Sequence, residues 1–201
     1  MSITHGYTTL STVRNALGIP SDDQSNDIYL DATIEAVCRM IDNYTGRRFY
    51  TNETTEARYY SPISTEVCWT DDITSITTLQ SDDDQDGTYE VTWAASDYHL
   101  LPYNASADGK PYTRLETSGW GNYEFCTEPK SLKIVGYFGY CTTSNCPKVI
   151  SEAAKLQSVR LFKRKDAPFG VVGGNEFAQT VGIPDLDPDV RMLLSPYVKR
   201  V

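Results

Sequence analysis

The chain has 201 residues, 40% of them hydrophobic, with 18 Lys+Arg against 27 Asp+Glu for a formal net charge of −9. That length suits one generous domain or two small ones, and the apolar content is enough to bury a core, so whole-chain disorder is excluded. No run approaches the ~20 apolar residues of a membrane span, and Met1-Ser2-Ile3-Thr4-His5-Gly6 has no basic-then-apolar pattern, so neither a membrane segment nor a signal peptide is expected.

The charge divides unevenly. Residues 147–201 hold nine Lys/Arg and six Asp/Glu, a net +3, whereas residues 1–146 hold nine and 21, a net −12. An acidic body repels nucleic acid, so tight DNA binding is disfavoured. Cys38, Cys68, Cys126, Cys141 and Cys146 are expected as reduced thiols in an unsecreted chain.

In chain order, residues 11–17 read as a short helix stopped by Gly18, with Pro20 beyond it. After the polar loop 21–25 comes the clearest helix, from about Asn26 to Thr45. Leu30, Ile34, Val37, Ile41 and Tyr44 recur at helical spacing on one face, and Gly46 ends it ahead of Arg47-Arg48. From about Ala57 the period changes to short Thr- and aromatic-rich runs at 58–60, 67–69, 73–79, 89–93, 98–101, 112–115 and 132–138, mostly bounded by Asp, Asn, Gly or Pro. This is the pattern of an antiparallel β domain, and nine of the 14 Tyr lie between residues 57 and 140. Helix returns at Pro147, with Val149, Ile150, Ala153, Ala154, Leu156, Leu161 and Phe162 on a broad apolar face; Ala153 and Ala154 allow close helix approach. A long Gly-containing loop runs to Leu186, Asp187-Pro188 starts a last short helix, and Pro196 releases the tail.

The fold class implied is α+β, a small helical bundle formed by both chain ends with an inserted antiparallel β domain. The expected division is 1–56 helical, 57–146 β insert, and 147–201 completing the helical part.

Candidate chemistry is sparse. Asp82, Asp84 and Asp86 with Gly87 match positions 1, 3, 5 and 6 of a calcium loop. Trp93 stands where a bidentate Glu is needed and the flanks read as strands, so a solvated hairpin turn is the expected reading. Cys141 and Cys146 could join Cys68 and Cys126 around zinc, but no paired x2 spacing occurs and structural thiols are favoured. A local disulfide closing Cys141 to Cys146 in an oxidising medium stays open. His5 lies near the terminus and His99 inside a strand, no nucleophile elbow occurs, and Gly170-x-x-Gly173-Gly174 opens no helix, so catalysis has no support and no cofactor or metal is expected. Lys163-Arg164-Lys165 closes a helix, where positive charge favours the dipole; contact with a polyanion or acidic partner is the other reading, and Arg47-Arg48 carries the same two.

Several strings carry a resemblance. They are residues 10–19 (LSTVRNALGI), 36–49 (AVCRMIDNYTGRRF), 86–89 (DGTY), 100–104 (LLPYN), 111–115 (PYTRL), 136–140 (GYFGY) and 187–197 (DPDVRMLLSPY). Their order resembles the head-tail connector (adaptor, or head-completion) proteins of tailed bacteriophages, in the form with a β insert, over most of the chain. The resemblance implies a non-enzymatic virion protein of the neck, assembled in the host cytoplasm as a homo-oligomeric ring of twelve. The ring sits under the portal protein, passes double-stranded DNA without gripping it, and receives the next neck or tail protein below; no membrane is involved. It carries portal contact onto Tyr197, Val198, Lys199, Arg200 and Val201. Subunit-interface or DNA-lumen candidates are Arg47, Arg48, Lys163, Arg164, Lys165, Phe169, Val171 and Val172. Two alternatives stand beside it: a stopper or tail terminator, and a β-domain binding module for a carbohydrate or host-surface ligand, which the Tyr and Trp content suggests.

Overall fold

Thr9 opens the first helix: its hydroxyl accepts the Thr12 amide at 3.2 Å, satisfying one of the amides a helix start leaves unpaired. In the computed structural model, which describes residues 3–119, 123–142, 145–165 and 186–199, α1 spans Leu10–Leu17 and stops at Gly18 in left-handed backbone. α2 spans Asp27–Thr45 and stops the same way at Gly46. α3 spans Lys148–Arg164, and α4 spans Pro188–Leu194 with Asp187 as its cap, its side chain accepting the Asp189 amide. A single 3-10 turn, Ser195–Tyr197, follows.

The chain divides into two compact units, Met1–Arg47 with Pro147–Val201 and Arg48–Cys146. In the first, α3 packs on α1, α2 and α4. Leu30, Ile34, Val37 and Ile41 of α2 are fully buried, so the 3.6-residue period read from the sequence does direct one face inward. Each such Leu or Ile contributes ~1.5–3 kcal/mol relative to exposure. Tyr44, expected on that face, is 36% exposed; the last turn instead buries Thr45, whose hydroxyl donates to the Ile41 carbonyl at 2.7 Å.

α3 also departs from expectation. Its buried face is Ile150, Ala153, Ala154, Gln157 and Ser158, while Val149, Leu156, Leu161 and Phe162 are only half-buried. The inward face runs through Ile150, the two alanines, Gln157 and Ser158, which leaves the other apolar residues at its edges. Gln157 is tolerated inside because its Oε1 accepts the Asp187 amide at 3.2 Å. Arg160 pairs with the carboxylates of Asp187 and Asp189, fixing the start of α4 against α3.

The second unit is a six-stranded antiparallel sheet: β1 Glu56–Tyr60, β2 Val67–Ser81, β3 Val91–Trp93, β4 Tyr98–Leu101, β5 Tyr112–Thr117 and β6 Leu132–Phe138. The strand order is β1-β6-β2-β5-β4, with β3 also on β2. Two runs expected as separate, 67–69 and 73–79, form one long β2. Register shifts fall between Trp69 and Ile73 against β5, and at Ser75 and Thr78 against β6. These bulges bend β2 so that its first half pairs β5 and its second half pairs β6. Cys68, Ile73, Leu79, Trp93, Leu115, Phe125, Leu132, Ile134 and Phe138 form the core. Trp93 stacks on Phe125 at 4.8 Å and donates its indole N–H to Ser81 Oγ at 3.0 Å.

Gly136 sits opposite the bulge, where a Cβ would lie 2.4 Å from the Ser75 carbonyl oxygen. Gly136→Ala is therefore expected to cost roughly 2–3 kcal/mol. Gly119→Ala, where nothing lies within 4 Å, is expected to change stability by less than about 0.5 kcal/mol. Urea unfolding followed by tryptophan fluorescence checks the pair; equal midpoints would contradict the bulge argument.

Candidate functional site

The sequence-derived candidates are best followed from the end of α2. A helix leaves its last carbonyls without intrahelical partners. Here Asp42 accepts the Gly46 amide at 2.8 Å, and Thr45 accepts the Lys199 amide at 2.7 Å. Arg47 Nε donates to the Tyr197 carbonyl at 2.8 Å. Tyr197, Val198 and Lys199 are therefore half-buried and held along the end of α2, not released after Pro196 as the sequence suggested. These bonds join residues about 150 positions apart, which no local pattern announces. Arg200 and Val201 lie outside the described residues, as do Phe169, Val171 and Val172.

Arg48 works within the sheet unit. Its guanidinium pairs with Glu56 at 2.8 Å, donates to the Phe138 carbonyl at 2.6 Å and lies 4.9 Å from the Tyr50 ring centre. Glu56 also pairs with Arg58, which reaches on to Asp71 at 2.7 Å. Burial pushes the Glu56 carboxyl up, but its hydrogen bonds to Arg58 and Arg48 outweigh this and hold it below its ordinary 4.5. The two neighbouring arginines thus serve different units, as strut and as ion-pair hub.

At the end of α3, Lys165 Nζ donates to Asn26 Oδ1 at 2.9 Å and lies near the rings of Tyr29 and Phe162. Lys163 is exposed and Arg164 half-buried. The structure does not gather the basic candidates into one patch within the helical unit: Arg47 lies at the end of α2, and Lys165 meets its start.

The acidic turn connects β2 to β3, whose Ser81 and Val91 are paired. Asp82 is buried and accepts the Gln85 amide at 2.8 Å and the Gly87 amide at 3.0 Å. Gly87 takes the positive φ of 91° the turn requires. Glu90 joins Asp82, Asp84 and Asp86 with carboxylate oxygens within 4.8 Å of one another, a fourth acid the calcium-loop spacing did not include. Asp86 and its acidic neighbours raise the Asp84 carboxyl, while Thr88 hydrogen bonds lower that of Asp86. Among the described residues this is the one grouping with metal-ligand proximity; Cys68, Cys126, Cys141 and Cys146 do not come together around a common point.

One surface feature was not singled out from the sequence. Trp69, Leu101, Pro102, Tyr103, Thr113 and Arg114 line a groove of about 350 Å³ on the sheet unit. Trp69 is 55% and Tyr103 65% exposed, and Arg114 stacks on Trp69 at 5.2 Å while pairing with Glu116. Trp69 stood out only as an aromatic in a strand; it points outward between buried Cys68 and Thr70, as strand alternation requires. His99 lies inside β4 as expected, with its ring 5.8 Å from Tyr103. No helix among the described residues is long and apolar enough to cross a membrane.

No protein-family model and no curated protein matches the chain in sequence. Solved structures do match in fold. A chain in the neck of an empty gene transfer agent (GTA) particle, computed with C6 symmetry, superposes with a TM-score of 0.60 at 15% identity, covering 100% of this chain and 94% of that one. A chain in the neck of the native GTA particle, computed with C12 symmetry, gives 0.58 at 14% identity over the same shares. One from the virion of the native particle gives 0.60 at 15%, covering 100% and 94%. The likeness therefore takes in both units, helical and sheet, and establishes a fold shared with neck chains of a phage-like particle.

Arg48→Ala leaves the Phe138 carbonyl unpaired and Glu56 with one arginine fewer. With Arg48 about 25% exposed, the expected loss is about 1–2 kcal/mol at pH 7. Because the Glu56 carboxyl sits below 4.5 in the folded chain, its contribution is present above that pH and is lost as pH falls through the depressed value. Arg48→Ala should flatten that acid limb, which denaturant titrations between pH 7 and pH 3 would read; an unchanged limb would remove Arg48 from the cause.

Proposed function

We propose that this chain is a structural neck protein of a tailed, phage-like particle: a head-tail connector of the adaptor type. It forms a ring, of twelve copies in this reading, between the portal and the next neck or tail protein, and double-stranded DNA passes through it. The observation that carries the reading is the full-length match of a two-unit architecture to chains whose place is a particle neck. The C6 and C12 symmetries of those necks support a ring. The acidic −12 body supports passage over grip, since each attraction to DNA would have to be broken at the next step. The role is non-enzymatic and the site of action is the virion neck.

In this reading the segment from Tyr197 to Val201 reaches the portal. The bonds from Thr45 and Arg47 to Lys199 and Tyr197 would hold the base of that segment. Arg47, Arg48, Lys163, Arg164, Lys165, Phe169, Val171 and Val172 remain the proposed subunit-facing or lumen-facing set.

The deciding experiment is a reconstruction of the particle with this chain tagged, together with particles made without it. The expected result is a twelve-fold ring between portal and tail, and heads that fail to join tails when the chain is missing. A tag at the tail tip, or fully joined particles without the chain, would end the connector reading. Removing Arg200 and Val201 should weaken portal capture about tenfold or more with thermal unfolding unchanged; undiminished capture would move the portal contact elsewhere.

The second reading, a carbohydrate or host-surface ligand on the sheet unit, is favoured by the exposed Trp69 and Tyr103 groove. A glycan array separates the two: binding by the purified chain that Trp69→Ala abolishes would favour it.

A further inference from the structure

Five thiols are distributed very differently over the molecule. Cys38 lies fully buried in the helical core, and burial pushes its thiol up to about 11. Cys68 lies fully buried in the sheet core, and burial pushes it up to about 12. Both are packing groups without access to a small oxidant. Cys126 is half-buried on the loop before β6.

Cys141 and Cys146 differ from these three in facing each other. Their side chains are in direct hydrogen-bond contact, five positions apart along the chain. Cys141 is 6% exposed and its Sγ also donates to the Phe49 carbonyl at 3.3 Å. Thr51 fixes the same residue from its other side, its hydroxyl donating to the Cys141 carbonyl at 2.9 Å. The position of Cys141 is therefore set by three independent contacts. Cys146 is more accessible. A cavity of about 230 Å³ opens beside Cys141, lined also by Thr142, Asn145, Lys110 and Tyr112. None of the five cysteines is in a disulfide in this structure.

We propose that Cys141 and Cys146 are a redox-active dithiol that closes into a disulfide on exposure to a small oxidising disulfide, stapling the segment between β6 and α3. The chemistry is thiol–disulfide exchange. Cys146, the more accessible, attacks as thiolate one sulfur of oxidised glutathione, forming a mixed disulfide and expelling one glutathione thiolate. Cys141 then loses its proton and attacks Cys146 Sγ, expelling the second glutathione thiolate. Two protein thiols become one disulfide, one glutathione disulfide becomes two glutathione thiols, and the two protons released are taken up by the leaving thiolates. The contact with Cys146, burial, and the Asp72 carboxylate all hold the Cys141 thiol well above its ordinary value. This order follows: the accessible partner reacts first, and the buried one resolves. In a reducing compartment the pair stays open, and in an oxidising medium it closes.

The test uses the full-length chain, incubated with oxidised glutathione, quenched in acid, unfolded and alkylated. Alkylatable thiols should fall from the five present by two. Intact mass should show the loss of two hydrogens, peptide mapping should join Cys141 to Cys146, and dithiothreitol should restore all five. Cys146→Ser should keep every remaining thiol alkylatable, apart from mixed disulfides with glutathione. Cys141→Ser should trap glutathione on Cys146, which intact mass reads directly. Mapping on the wild-type chain needs no variant to fold. Five alkylatable thiols after oxidation, or a bridge that pairs Cys126 with either residue, would overturn the proposal.

Discussion

Closure of the helical unit depends on the few hydrogen bonds at the end of α2, where the chain leaves for the sheet and where, about 150 residues later, its far end comes back. The terminal carbonyls of a 19-residue helix must be paired or solvated. Thr45 gives its carbonyl to the Lys199 amide and Arg47 takes the Tyr197 carbonyl. Each bond is worth only about 0.5–1.5 kcal/mol net, but together they fix where the returning segment lies. That frees the sheet to be a long excursion: closure is made by α2, α3, α4 and the tail, and does not rest on β pairing.

The same stretch gives each residue from Thr45 to Phe49 a structural task. Thr45 bonds back to Ile41, Gly46 supplies the left-handed stop, Arg47 holds the tail, Arg48 holds Phe138 and Glu56, and Phe49 is buried against Tyr140 at 5.1 Å. Five consecutive residues each have a task that another side chain would perform badly. From sequence, Arg47-Arg48 carries two readings, complement to the helix dipole or contact with a polyanion or acidic partner. Its contacts add an architectural task within each unit.

What the sequence could convey was whatever has a period or a local φ requirement. Leu30, Ile34, Val37 and Ile41 declare α2 through their spacing, Gly18 and Gly46 declare helix ends, and alternating Thr and aromatic residues declare the strands. Long-range compensation was hidden. Gln157 reads as a surface residue until Asp187 is placed beside it, and Val149 and Phe162 read as core although the buried face runs through Ile150, Ala153, Ala154 and Gln157. The continuity of β2 was hidden too, because Thr70, Asp71 and Asp72 break the alternation where the strand bulges. The groove at Trp69 and Tyr103 joins residues of β2 and β5 with the segment after β4, a juxtaposition that composition does not carry.

These contacts also change the meaning of the charge. Of the nine basic residues before position 147, six are arginines, and Arg14, Arg39, Arg47, Arg48, Arg58 and Arg114 all bond to carboxylates or backbone carbonyls of their own unit. Their positive charge is largely spent inside the fold, where it offsets Asp27, Asp42, Glu56, Asp71 and Glu116. The acids left over, such as Asp83, Asp84 and Asp86 on the β2–β3 turn, set the outer field. A surface built this way cannot form the dense lysine and arginine track that slows a polyanion by counterion release. Under the proposed connector role, weak repulsion at every step would cost a moving duplex less than strong attraction that must be broken repeatedly.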